Sequence, residues 1–143
     1  MYLGTNQHTL DPKGRLILPA AHRETLEAGC VLTVGHDRCV TLHPAARWAE
    51  VVEGLRQLRS TDRRERMFSR MVTSSAHPQE LDKQGRITVP PHLRAYASLE
   101  REVTVVGNDD HLELWNGTAW DAYMAQALED FADTADPFDV GGL

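Results

Sequence analysis

The sequence is poor in the features that mark several classes of protein. It holds two cysteines in 143 residues, Cys30 and Cys39, and no CxxC pair, so the ligand spacing of a zinc ribbon and the usual redox motif are both missing. No apolar run approaches the roughly 18 residues that a membrane-spanning helix requires. The opening, MYLGTNQHTLDPKGR, lacks the charged start and apolar stretch of a secretion signal, and a cytoplasmic protein is expected. Catalytic motifs are equally scarce. Ser74, Ser75 and His77 lie close together without a GxSxG context, and neither GRL nor GRI is a glycine-rich phosphate loop. We therefore expect no enzyme, no small-molecule substrate and no cofactor.

The composition, 41% apolar and 25% charged, is that of a globular chain. Its length suits one domain or two small units sharing a core, since separate halves would bury too little surface to be stable alone. A net charge of -6 argues against holding nucleic acid by overall charge, but the charge is uneven. Six arginines stand between Arg56 and Arg70 against Asp62 and Glu65, whereas six acids and no base follow from Asp121 onward. The arginines of this run, Arg63, Arg64, Arg66 and Arg70, are read first as a solvated helix face.

The chain repeats itself. Residues 10–19 read LDPKGRLILP and residues 81–90 read LDKQGRITVP. Asp11 answers Asp82, Gly14 answers Gly85, Arg15 answers Arg86 and Pro19 answers Pro90, and the match continues through Arg23 and Arg94. It resumes in LTVGHDRCVTLH (32–43) and VTVVGNDDHLELW (103–115), and a tryptophan follows each, Trp48 and Trp120. Each copy predicts a strand, a tight turn at DPKG or DKQG, a second strand stopped by proline, a short helix, a hairpin and a longer helix. The longer helices carry apolar stripes, Trp48, Val51, Val52, Leu55 and Leu58 in one, Trp120, Tyr123, Met124, Leu128 and Phe131 in the other. An unrepeated segment between them can cap on Thr61 or Asp62 and present Met67, Phe68, Met71 and Val72 on one side. The expected units are 1–60, a connecting helix at 61–76, a second unit at 77–132 and a loose acidic tail at 133–143.

His36, Cys39 and His43 form an HxxCxxxH pattern, but the second copy has Asn108, His111 and Trp115 there, and a tetrahedral site needs a fourth ligand. No metal is expected.

The doubled motif, D-x-x-G-R followed by hydrophobic-x-hydrophobic-P, resembles the MraZ family, as do the opening MYLG and the HTLD that follows. The resemblance implies an α+β fold in which two tandem AbrB/SpoVT-like hairpin units form a pseudo-twofold β-barrel with peripheral helices. It also implies a homo-oligomeric ring that binds double-stranded DNA at tandem promoter repeats near a cell-division and cell-wall gene cluster. The expected DNA-contacting residues are Asp11, Lys13, Gly14 and Arg15 in the first copy, with Asp82, Lys83, Gln84, Gly85 and Arg86 in the second.

These residue types suit the task. A guanidinium offers a rigid fork of donors that can bond a guanine edge at two points, which an ammonium cannot. A neighbouring aspartate can steady it through a charge-assisted bond, and turn lysines can meet phosphates. The plainer alternative is that each aspartate caps its turn and each arginine makes a surface ion pair of little energetic weight. Two other functions compete: an AbrB-type antitoxin that also wraps a toxin, and a ring-forming adaptor that does not touch DNA.

Overall fold

A computed structural model describes residues 1–133 and Val140. The first copy supplies β1 (Thr5–Thr9), β2 (Arg15–Ile17), α1 (Ala20–Arg23), β3 (Cys30–Val34), β4 (Val40–Pro44) and α2 (Ala45–Arg56). The unrepeated helix α3 (Arg63–Ser74) follows. The second copy supplies β5 (His77–Gln79), β6 (Arg86–Thr88), α4 (Pro91–Tyr96), β7 (Glu102–Asn108), β8 (His111–Asn116) and α5 (Gly117–Asp133). Asp62 caps α3, its Oδ1 accepting from the Arg64 and Glu65 amides at 2.9 and 3.0 Å. The loose tail expected at 133–143 lies, apart from Asp133 and Val140, outside the described residues.

The two copies interleave. Six strands form one antiparallel sheet in the order β1-β7-β8-β4-β3-β5, so the first strand of each copy adds to the hairpin of the other. The seam is β4 on β8, with Val40 opposite Leu114, Thr41 opposite Glu113 and Leu42 opposite Leu112. A pseudo-twofold axis therefore passes between Thr41 and Glu113. The remaining strands, β2 and β6, pair with each other as a two-stranded ribbon.

The barrel expected from the family resemblance is not there. The six-stranded sheet is open, with β1 and β5 at its two edges. Closure requires every strand to find partners on both sides, and the ribbon strands cannot bridge the gap. Each is three residues long, confined between a tight turn and a proline that ends the ladder. A single bridge, Leu10 to Leu16, links the ribbon back towards β1.

The ribbon instead lies as a second layer over the sheet. Alternation along β2 and β6 sends Leu16 and Ile87 inward with no or almost no exposure. They join Leu18, Val89, Leu32, Val40, Leu42, Val103, Val105, Leu112 and Leu114 in one core, closed at its ends by Leu26 and Leu93. Each such side chain contributes roughly 1.5–3 kcal/mol on burial. The other sheet face carries a smaller cluster of Cys39, Val106 and Trp115, with Trp120 packed on it. The apolar stripes of α2, α3 and α5 run along that side, but none of these helices has a buried residue.

Candidate nucleic-acid interface

The two turns are built by one device used twice. In the first copy Asp11 Oδ1 accepts from the Lys13 and Arg15 amides at 2.9 and 2.8 Å, while Oδ2 holds Arg15 Nε at 2.6 Å. In the second, Asp82 Oδ1 accepts from the Gln84 and Arg86 amides, both at 2.9 Å, and Oδ2 holds Arg86 Nε at 2.7 Å. The backbone closes each turn from Gly14 to Asp11 and from Gly85 to Asp82. Both glycines have positive φ, +80° and +75°, where a side chain would be strained.

These bonds hold both carboxyls below the usual carboxylate range. For Asp11 the Arg15 amide acts foremost, then its guanidinium and the Lys13 amide. For Asp82 the Arg86 amide acts foremost, then its guanidinium and the Gln84 amide. Each aspartate is thus ionised at neutral pH and fixes the Nε edge of its arginine. Among the described residues, the terminal amines of Arg15 and Arg86 make no protein hydrogen bond, and this is the edge of the fork that can meet a base.

The ribbon sets the spacing. Arg15 lies opposite Thr88 and Arg86 opposite Ile17, while the inward pair Leu16 and Ile87 sits between them. Arg15, Ile17, Arg86 and Thr88 therefore share the outward face, with the two arginines as diagonal neighbours, about 7–8 Å apart at the backbone. Their side chains are 36% and 27% exposed. The nine residues singled out in the sequence fall in the two turns, one at each end of the ribbon, and the ribbon brings Arg15 and Arg86 onto one face. Lys13, Lys83 and Gln84 lie exposed at the turn tips, and Gly14 and Gly85 are buried beneath them.

The sequence reading paired Arg23 with Arg94 but gave neither a place in the site. The Arg23 side chain packs over Gly85, its Nε 2.5 Å from where a Cβ would stand, and the Arg94 guanidinium packs over Gly14 at 2.9 Å from the corresponding point. Backbone bonds run the same way, from Leu18 to the Gly85 carbonyl at 3.1 Å and from Val89 to the Gly14 carbonyl at 2.8 Å. Each turn is thereby locked by the other copy. The available signal was that both arginines stand four residues after the strand-ending proline. Arg23 Nε donates to the Leu18 carbonyl at 3.0 Å, whereas Arg94 Nε is buried with no hydrogen-bond partner among the described residues.

A short ribbon presenting twin arginine turns from two interleaved copies matches, by sequence comparison, a class of transcriptional regulators. The family model described as MraZ protein, antitoxin-like, fits residues 1–71 and again residues 72–140. Curated relatives named "Transcriptional regulator MraZ" include one from Salinispora arenicola, 44% identical over 133 residues, covering 93% of this chain and 94% of the relative. Another, from a Parafrankia species, is 45% identical over 136 residues, 95% of each chain. One from an Arthrobacter species is 41% identical over 136 residues, 95% of this chain and 96% of the relative. The chain belongs to the MraZ family, which places it among transcriptional regulators and not among enzymes. Among the described residues, no helix is long and apolar enough to cross a membrane.

Proposed function

We propose that the outward face of the β2–β6 ribbon enters the major groove of double-stranded DNA and reads it through Arg15 and Arg86. The observation that carries this reading is the pair of guanidiniums held at Nε by Asp11 and Asp82, with their terminal amines unengaged by protein. A two-stranded ribbon has the width the major groove admits, and a bidentate arginine–guanine contact discriminates by about 1–3 kcal/mol. Lys13 and Lys83 at the turn tips meet phosphates, Gln84 meets a phosphate or base edge, and Gly14 and Gly85 supply the positive φ that shapes the turns presenting them.

The regulator acts at tandem repeats in the promoter of a cell-division and cell-wall gene cluster that includes its own gene, as a repressor, in the cytoplasm and on the nucleoid. One ribbon neutralises few phosphates and the chain is acidic overall, so useful affinity calls for several copies acting together. The uncovered apolar residues Met67, Phe68 and Met71 on α3, and Tyr123, Met124, Leu128 and Phe131 on α5, support a homo-oligomeric ring that lines ribbons up with repeats. The partition into 1–60, 61–76, 77–132 and 133–143 is proposed as the repeat organisation of the sequence, not as separately folding bodies.

Titration of the full chain against its promoter fragment tests the reading. Arg15→Ala and Arg86→Ala should each lose most specific binding while keeping the oligomeric state of the parent. Unchanged affinity in both variants refutes the assignment, and an absence of salt-dependent binding by the parent favours the adaptor reading instead.

A further inference from the structure

The ribbon's backbone obeys the pseudo-twofold axis, but its outward face does not. Arg15 and Arg86 are symmetry mates and occupy one diagonal of a four-residue patch. The other diagonal holds Ile17 and Thr88, which are mates in position and unlike in chemistry. Ile17 is a β-branched apolar residue, 46% exposed, directly opposite Arg86 on a face otherwise made of two guanidiniums and a hydroxyl. It adds nothing to the core, which Leu16 and Leu18 on either side of it fill from the opposite face. Its neighbour arginine is already held by Asp82, so Ile17 is not needed to position it.

Resting on the DNA-binding reading above, we propose that Ile17 is a specificity residue that packs on the C5-methyl group of a thymine lying between the two arginine-read guanines, and that Thr88 makes no equivalent contact. Apolar contact is how a side chain distinguishes thymine in the major groove, and a hydroxyl is tolerant of several base edges. The consequence is polarity. A symmetric ribbon reads a site equally well in both directions, whereas this one binds with Ile17 on the thymine side and fixes the orientation of each subunit. The turn tips reinforce the asymmetry, with Pro12 and Lys13 in one copy against Lys83 and Gln84 in the other.

The test is selection from a pool of random-sequence duplexes by the full chain and by the Ile17→Ala, Thr88→Ile and Arg15→Ala variants. Thermal unfolding checks that each is folded. The parent should select guanines flanking a thymine on one side of the centre only. Ile17→Ala should keep the guanines and lose the thymine, and Thr88→Ile should gain a second thymine on the opposite strand, making the motif nearly palindromic. Replacing the selected thymine by deoxyuridine, which removes only the methyl, should weaken the parent about fourfold, the value of one buried methyl-sized group, and leave Ile17→Ala unchanged. If deoxyuridine costs both proteins equally, or Ile17→Ala selects the parental motif, the role of Ile17 is overturned while DNA binding stands. If the parent selects no motif at all, the DNA-binding reading fails and this proposal with it.

Discussion

The two faces of the six-stranded sheet are finished to different degrees. On one side the ribbon completes a layer: Leu16, Leu18, Ile87 and Val89 are sealed into the core, and each turn is locked by an arginine from the opposite copy. On the other side α3 and α5 bring apolar residues that stay uncovered, with Phe131 81% exposed. The ribbon side is thus a rigid platform complete within one chain, suited to holding two guanidiniums in fixed relation. The helix side is a surface left open among the described residues.

The largest expected effects fall on the ribbon side. Leu16→Ala removes a side chain with no exposure and should cost about 2–5 kcal/mol in urea unfolding. Gly14→Ala and Gly85→Ala both force a side chain into the left-handed region, a penalty of roughly 1–2 kcal/mol, but they should not be equal. At Gly14 the new Cβ would stand 2.8 Å from the Val89 carbonyl oxygen, which is backbone, whereas at Gly85 the three atoms nearest to it all belong to the Arg23 side chain, which can swing away. Gly14→Ala should be the more destabilising of the two, and equal losses would break the asymmetry assigned to the locks.

An intermediate effect belongs to the sheet's helix-bearing face. Burial foremost, then the neighbouring His111, pushes the His43 imidazole down to about 4, while its unfolded value is about 6.5. The native state therefore favours neutral His43. Its contribution is complete above pH about 6.5 and is lost as pH falls towards 4, at most about 3 kcal/mol. His111 works in the opposite sense, raised by Glu113 foremost and also by Asp110, so its contribution fades as pH rises. Urea unfolding across this range should show His43→Gln with a flatter acid limb than the parent. Smallest of all, Leu128→Ser and Phe131→Ser should change unfolding free energy by about 0.5 kcal/mol or less at subunit concentrations where the chain is monomeric. Light scattering should nevertheless show smaller assemblies. Unchanged assembly size would show that the helix side is not the subunit contact.

Much of this contrast was written locally in the sequence. The Asp-x-x-Gly-Arg spacing dictates the turn because aspartate reaches the amides two and four residues on while glycine takes the positive φ, and the same five positions recur in both copies. Strand partners were less legible. Period-two alternation in RLI and RIT states which side chains go inward, but not that β2 would choose β6 or that β1 would cross to β7, and closure into a barrel depends on those choices. The second hairpin reverses at Asp109 and Asp110, just beyond the Asn108–His111 pair, with Gly107 and Asn108 still in β7 and Asp109 at a φ of 61°. Nor does helical periodicity distinguish a stripe that faces a core from one that faces another subunit, which is why the α5 stripe reads the same in sequence whether Leu128 is buried or exposed.

The central claim is that two oriented guanidinium forks, and not positive charge alone, read the DNA. Its most direct measurement is the affinity of the Arg15→Lys, Arg86→Lys double variant for the duplex selected by the parent and for a scrambled duplex, each over a range of salt. Charge is conserved, so binding to scrambled DNA and its salt slope should match the parent, while discrimination should fall by roughly tenfold or more for each lost bidentate contact. Full discrimination retained by the lysine variant would contradict the account.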